Sequence, residues 1–425
     1  MLDPLALFGP EPGSWLVQRQ HQAWLGTQGL RLLDFSKPSL VAHGFAALDL
    51  DGRLPDKPVA ETIVTARMVH SYGLGMLQGL PGCIPLVDHG LASLASGPLR
   101  DGENGGWWLR DPDAGAPRRK QAYAHAFVAL AASTALVAKR PAAKQLLEEA
   151  IDVIEAHFWD DAEGAMRESF ASDWGNEEDY RGANSNMHSL EMCLALADAL
   201  DAPKWRERGL RIAERLIHDH ARANDYCIPE HFDLNWQILR DYNRDKPEDD
   251  LRPYGTTPGH SLEWSHLLLK LEAALLAHGE TPPSWLLEDA IALFEAAMHL
   301  GWAADERPGL VYTLDWNGRP SVPERAHWVH AEAITAAATL FKRTGRKIYS
   351  EWYRRLWDYI DLAMIDRERG GWLNEVDAEG RDSERIYEGK PDLYHAYQAT
   401  LTPLLPATPS IAVALAQQGA RFERE

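Results

Sequence analysis

Six side chains able to hold an oxyanion or to trade protons near neutrality recur along this 425-residue chain at intervals of roughly 60–70 residues. They are Arg67, His125, His188, His260, His330 and His395, one near the start of each of six similar apolar segments. Imidazole is the side chain whose unperturbed pKa lies near neutrality. Two imidazoles on either side of a bound molecule can therefore exchange protons with its carbon and oxygen atoms at pH 7. A lone histidine on an apolar helix is ordinarily a satisfied core group. Six such groups at corresponding places read instead as the lining of one cavity. Arg67 is the sole guanidinium of the set. Its planar fork suits paired oxygens and the charge of an enediolate; a carboxylate partner inside the core is the competing use.

Two of the histidines have a carboxylate three residues on, His188 with Glu191 and His260 with Glu263. That spacing puts both groups on one helix face, so each carboxylate is expected to hold its imidazole in one tautomer. Glu332 follows His330 by two residues and points elsewhere, which assigns it to a substrate hydroxyl. Asn184, Tyr123 and Trp328 flank the same helix starts and suit hydroxyl binding or stacking on a sugar ring. His/Glu pairs also build di-metal sites in helical bundles. No HExxH or EF-hand loop supports that use here, and the expectation is a site without metal or cofactor. His70, His157, His218, His220 and His299 receive no role.

The elements that must position these groups repeat as well. ETIVTARMVHSYGLGML from Glu61, KQAYAHAFVALAAS from Lys120 and NSNMHSLEMCLALADAL from Asn184 are apolar nearly all round. So are TPGHSLEWSHLLLKLEAAL from Thr257, HWVHAEAITAAATLF from His327 and PDLYHAYQATLTPLL from Pro391. Between them lie amphipathic helices such as AAKQLLEEAIDVIEAHF and KIYSEWYRRLWDYIDLAM, charged on one face only. A Gly-containing turn and a short extended strand follow the outer helices, as in DGENGGWWLRD, DDAEGAMRESF, ANDYCIPEHFD, ERPGLVYTLDW and ERGGWLNEVD. QGLRLLDF followed by GFAALDLDGRL reads as the first copy. Alternating outer and inner helices, six times over, predict an all-α chain: an (α/α)6 barrel with short β-hairpin insertions at one end. Residues 1–425 form a single catalytic domain on this reading, and an open α-solenoid is the rival layout.

Lys and Arg total 43 and Asp and Glu 63, a formal charge of −20. This opposes binding to nucleic acid or to an anionic membrane, both of which need a cationic footprint. No apolar run approaches the length of a membrane span. Cys83, Cys193 and Cys227 are widely spaced and odd in number, so neither a zinc site nor a disulfide framework is read from them. The cytoplasm is the expected location. The 16 Trp are many for this length, and some should line a cavity whose ligand offers C–H faces. A monosaccharide is the expected partner; monomer and homo-oligomer both stay open.

Taken together, TARM with Arg67, YAHAF with Tyr123 and His125, and NSNMHSLE with Asn184, His188 and Glu191 resemble the N-acylglucosamine 2-epimerase superfamily. PGHSLEW with His260 and Glu263, WVHAE with Trp328 and Glu332, and LYHAYQ with His395 complete the resemblance, which spans roughly residues 15 to 405. Within the superfamily the chain is most similar to the mannose isomerase and sulfoquinovose isomerase branch. The resemblance implies metal-free proton transfer at the sugar's C2: His395 removes the C2 proton of the opened aldose, giving a cis-enediol. It implies that His260, oriented by Glu263, serves ring opening and the proton transfer between O1 and O2. Arg67, Tyr123, Asn184, His188, Glu191, His327, Trp328 and Glu332 would then orient substrate. His327 stands where relatives often carry a second aromatic, which puts stacking there in question. Interconversion of D-mannose and D-fructose is the expected activity, with D-lyxose and D-xylulose as a side reaction. A 2-epimerase, a sulfoquinovose isomerase, a glycoside hydrolase on the same barrel and a non-catalytic sugar-binding protein are the alternatives.

Overall fold

Helices that are apolar on every side can be stable only when other helices cover them all round. The computed structural model, which describes residues 13–112 and 118–422, meets that requirement with two concentric layers. In chain order the helices are α1 (Arg19–Ser36), α2 (Thr62–Leu77), α3 (Cys83–Ser96), α4 (Ala122–Val137) and α5 (Ala143–Val153). There follow α6 (Ala183–Leu200), α7 (Pro203–Ala213), α8 (Pro258–Ala277) and α9 (Trp285–Gly301). The last are α10 (His327–Thr344), α11 (Lys347–Tyr359), α12 (Tyr394–Leu401) and α13 (Ile411–Phe422). The even-numbered helices form the inner layer. In α4 every residue from Ala122 to Ala135 is buried, whereas α5 buries only Ala143, Leu146, Leu147 and Ala150. No described helix is long and apolar enough to cross a membrane.

The inner helices pack in sequence, α2 on α4, α4 on α6, α6 on α8, α8 on α10 and α10 on α12, and α12 returns to α2. Outer α1 covers α12, so the first helix completes the last hairpin. Aromatic packing also ties α1 to outer α11: Trp24 meets Trp357 edge-on at 5.2 Å, and the His21 ring is hydrogen-bonded to the Tyr353 hydroxyl at 2.8 Å. This closure excludes the open solenoid. Near the C-terminal end of α2, Leu415 of α13 shares a groove with Leu77 and Gln78.

Each inner helix begins where the preceding residues pair with an extended segment from the neighbouring repeat. Arg119–Gln121 pair with Ser169–Ala171, Arg181–Gly182 with His231–Phe232, and Arg325–Ala326 with Glu375–Val376. Single bridges do the same for the others: Glu61 with Arg110, Thr256 with Leu314, and Lys390 with Leu48. Six inner-helix N-termini are thereby pinned to one rim. The turn-and-strand insertions lie where the sequence predicts them, with one correction. QGLRLLDF belongs to α1, its apolar residues serving the α1–α12 seam, and the first extended pair is Leu40–Val41 with Gly44–Phe45.

Candidate functional site

A cavity of about 600 Å³ opens at this rim. Its wall includes Arg67, Tyr123, Asn184, His188, His260, Glu263, His327, Trp328 and His395, all expected from the sequence. The repeat register explains which first-turn residues reach it. Tyr123, Asn184 and Trp328 stand two residues past the caps Gln121, Gly182 and Ala326, and Arg67, His188 and Glu263 stand six past Glu61, Gly182 and Thr257. Residues four past the cap face away from the axis, toward the turns.

His125 and His330 occupy that outward place, and the six groups are therefore not equivalent. The Nδ1–H of His125 donates to the Gln121 carbonyl at 2.7 Å, and its Nε2 accepts the Trp107 N–H at 3.1 Å. His330 does the same with the Ala326 carbonyl at 2.9 Å and the Leu310 N–H at 2.9 Å. In α6 the place belongs to Asn186, which donates to the Gly182 carbonyl and accepts the Met166 N–H. These side chains clip an outer turn to an inner helix. Gly106, at φ +77°, supplies the turn beside His125; a Cβ there would lie 2.8 Å from Nε2.

The remaining histidines converge. His260 and His395 both pack against the Trp328 indole, with ring centroids 5.2 and 5.7 Å from it. Gly259 permits the arrangement, because a Cβ at that position would come within 2.5 Å of the indole. The indole N–H donates to the Tyr387 hydroxyl at 3.0 Å, which in turn donates to Tyr312. Each imidazole has its Nδ1 committed to a buried carboxylate: His260 to Glu230 at 2.9 Å and His395 to Glu332 at 2.7 Å. Nε2 is left as the nitrogen to meet a ligand.

Two expected partnerships are thus rearranged. Glu263 does not orient His260; its Oε1 lies 3.7 Å from His188 Nδ1, and its buried Oε2 has no hydrogen-bond partner. Successive cavity-facing residues of one helix lie at different depths, so the i, i+3 spacing does not bring this pair together. Glu332 and Glu191, expected to touch substrate, sit behind the wall. Glu332 bridges His395 and His266, and Glu191 accepts from His188 at 3.3 Å and from the Tyr394 hydroxyl.

Burial and charge drive the carboxylates apart. Burial, then the charges of Glu332 and Glu191, raises Glu263 well above the ordinary carboxylate range, which favours a neutral acid able to donate. For Glu332 burial acts in the same direction, but hydrogen bonds from His266 and His395 overcome it and hold the group well below that range. Burial also opposes ionisation of Glu191, which the bond from His188 brings down to about 2. The His188 imidazole is lowered to about 4 by burial, only partly offset by Glu191.

Arg67 donates to Asp392 at 3.0 Å and to the Tyr123 hydroxyl at 2.9 Å, and lies over the rings of Phe127 and Tyr394. The carboxylate partner foreseen for it is thus Asp392, while its buried Nε has no hydrogen-bond partner. The other lining guanidinium, Arg110, faces Glu61 at 3.3 Å. Arg252 is held by Glu178 and Glu168, and Arg119 by Ser169; neither lines the cavity. Asn184 donates to the Leu251 carbonyl at 3.1 Å while its buried Oδ1 is unpartnered, and His327 bonds the Asn374 carbonyl through Nδ1. As for metal, His188, Glu191 and Glu263 offer ligand atoms within 4.8 Å of one another, as do Glu263, Glu332 and His395. Both sets mix donors suited to a divalent cation, yet each contains a histidine already bonded to one of its carboxylates.

Glu230, Asp392, Tyr387, Asn374 and His266 carry much of this geometry and do not stand out in the sequence. Glu230 and Asp392 lie in loop segments, where helical spacing gives no signal. His266 stands six residues beyond His260, and Asp392 two before the first residue of the helix that carries His395.

The N-acylglucosamine 2-epimerase (GlcNAc 2-epimerase) family profile matches residues 44–399. A D-mannose isomerase of Pseudomonas cannabina pv. alisalensis is 53% identical over 403 residues, covering 95% of this chain and 97% of that protein. A D-mannose isomerase of Thermobifida fusca is 48% identical over 410 residues, covering 95% and 99%. A crystal structure of a D-mannose isomerase superposes with a TM-score of 0.83 at 28% identity, covering 90% of this chain and 97% of the other. From its fold, its helix-start residues and these relatives, the chain belongs to the N-acylglucosamine 2-epimerase family.

Proposed function

We propose that this protein is an aldose–ketose isomerase that interconverts D-mannose and D-fructose, the whole chain acting as one catalytic domain. The observation that carries the reading is the pair His260 and His395, each backed by a buried carboxylate and both lining one cavity beside Trp328. Similarity to D-mannose isomerases over nearly the full chain supports it.

In the opened aldose, His395 Nε2 takes the C2 proton. The released electron pair forms the C1–C2 double bond, and the former carbonyl oxygen O1 gains charge. Glu332 stabilises the imidazolium that results, as an orienting carboxylate does in other imidazole bases. His260 moves the O2 proton to O1, so that O2 becomes the new carbonyl. His395 then returns its proton to C1, giving the ketose. The same His260 serves ring opening. Arg67, aligned by Asp392 and Tyr123, stabilises the enediolate charge. Asn184, Glu263 and Arg67 line the cavity and each keeps one polar atom without a partner, which supports a role in binding sugar hydroxyls.

Both guanidiniums of the wall already face carboxylates, which favours an uncharged sugar over sulfoquinovose. Epimerisation is the second reading, because the two imidazoles line the one cavity and the second could protonate C2 from the other face. Incubating the protein with mannose in deuterated water separates the two. Fructose carrying deuterium at C1 is the expected product, glucose carrying deuterium at C2 would establish the epimerase, and unchanged mannose would remove the substrate assignment. Activity is expected to survive exhaustive chelation; loss restored by a divalent cation would move the chemistry to the His/Glu sets. Three free cysteines suit a reducing compartment such as the cytoplasm.

A further inference from the structure

Glu332 divides its two oxygens between two histidines. Oε1 takes the Nδ1–H of His395 at 2.7 Å, and Oε2 takes the Nε2–H of His266 at 2.6 Å. The three residues come from α12, α10 and α8, and all are buried. His395 lines the cavity; His266 does not. Its other nitrogen, Nδ1, is buried without a partner, and only 4% of the residue is exposed. A buried imidazole with one bond to a carboxylate and an unsatisfied second nitrogen is a costly thing to place in a barrel core. Burial and the charge of Lys270 lower its pKa, which keeps it a neutral N–H donor.

We propose that His266 is a positioning residue for proton transfer: by donating to Glu332 it keeps that carboxylate charged and aimed at His395. This rests on the assignment of His395 as the base. Titratable groups from several helices surround Glu332 and its partners. Glu263 and Lys270 come from α8, Glu191 and His188 from α6, and Asp392 from the segment leading into α12. Around them, Arg67 of α2 acts on Glu263, His70 of α2 lies near Glu191 and Lys270, and His327 of α10 lies near His395 and Asp392. Three glutamates share this space, and Glu263 already leans toward its neutral form, first because it is buried and then because Glu332 and Glu191 are charged. Without His266, Glu332 loses one of the two bonds that hold it ionised. Its proton affinity then rises, it takes up a proton at a higher pH than before, and in that neutral form it no longer stabilises the His395 imidazolium, so the base fails earlier as pH falls.

The test compares His266→Leu with His266→Gln, whose amide can donate from nearly the same point. For the Leu variant kcat should fall by about 10–100-fold with KM near wild type, the usual effect of losing such a supporting bond. The acid limb of its pH–rate profile should move to higher pH by about one unit. The Gln variant should recover most of both. A purely structural role would lower thermal stability and leave the profile of the folded fraction in place, and that result, or a Gln variant no better than Leu, would overturn the proposal. Nitrogen-15 NMR of the His395 ring gives a readout independent of turnover. On the shifted acid limb, where Glu332 becomes neutral, the Nδ1–H resonance should lie upfield of wild type in the Leu variant even if mannose proves not to be the substrate; an unmoved resonance would count against His266.

Discussion

At the scale of single residues the site assigns different work to groups of one chemical type. His260 and His395 have Nδ1 on carboxylates and Nε2 left for substrate, whereas His125 and His330 spend both nitrogens on backbone groups. Replacing His260 or His395 with Asn should therefore lower kcat by about 10²–10⁴-fold, the range of general acid–base catalysis, in a protein of unchanged circular dichroism. Glu230→Gln should cost about 10–100-fold in kcat, because the carboxylate partner of His260 loses its charge; steady-state kinetics at several pH values would reveal it. Full activity in the Gln variant would mean that Glu230 does not tune His260.

At the scale of elements, the inner-helix starts are set by backbone pairing with the next repeat and by the outward-facing clips. His330→Leu strips partners from the Ala326 carbonyl and the Leu310 N–H, both buried. A loss of about 2–4 kcal/mol in urea unfolding is expected, with kcat of the folded enzyme within a few-fold of wild type. Gly259→Ala acts at the opposite side of a helix start. Its methyl would press on the Trp328 indole, so kcat/KM should drop by about tenfold or more, since small misplacements in a site are costly. Equal kinetics for the Ala variant would show that the indole can move without consequence.

At the scale of the whole molecule, closure of the ring buries many imidazoles in neutral form. His21, His70, His188 and His327 are lowered to about 4, and His125 and His330 to about 3, chiefly by burial. Their folded values lie below the unfolded value near 6.5. Between the two, the unfolded chain binds more protons, and stability rises with pH. The stabilisation is thus complete above about pH 6.5 and is lost as pH falls toward 4 and then 3. Glu191, lowered to about 2, adds a loss that begins only below its unfolded value near 4.3. Thermal unfolding should show Tm falling by at least about 5 °C between pH 7 and pH 5; a flat Tm across that interval would contradict the neutral-imidazole core.

Much of this was legible without coordinates, for a definite reason. Burial on all sides writes itself into α2, α4, α6, α8, α10 and α12 as uninterrupted apolar sequence, and chemistry-bearing residues at their starts mark the cavity rim. Helical spacing also brought out His188 with Glu191, a bond made within one helix. What it could not supply were the partners that cross between elements. Glu230 reaches His260 from a strand-end loop, Glu332 serves His395 from a different helix, and Asp392 meets Arg67 across 325 positions of chain. Local periodicity dictates which face of a helix a residue occupies; only the closed ring decides which faces meet, because that depends on how far each helix is rotated and sunk against its neighbours.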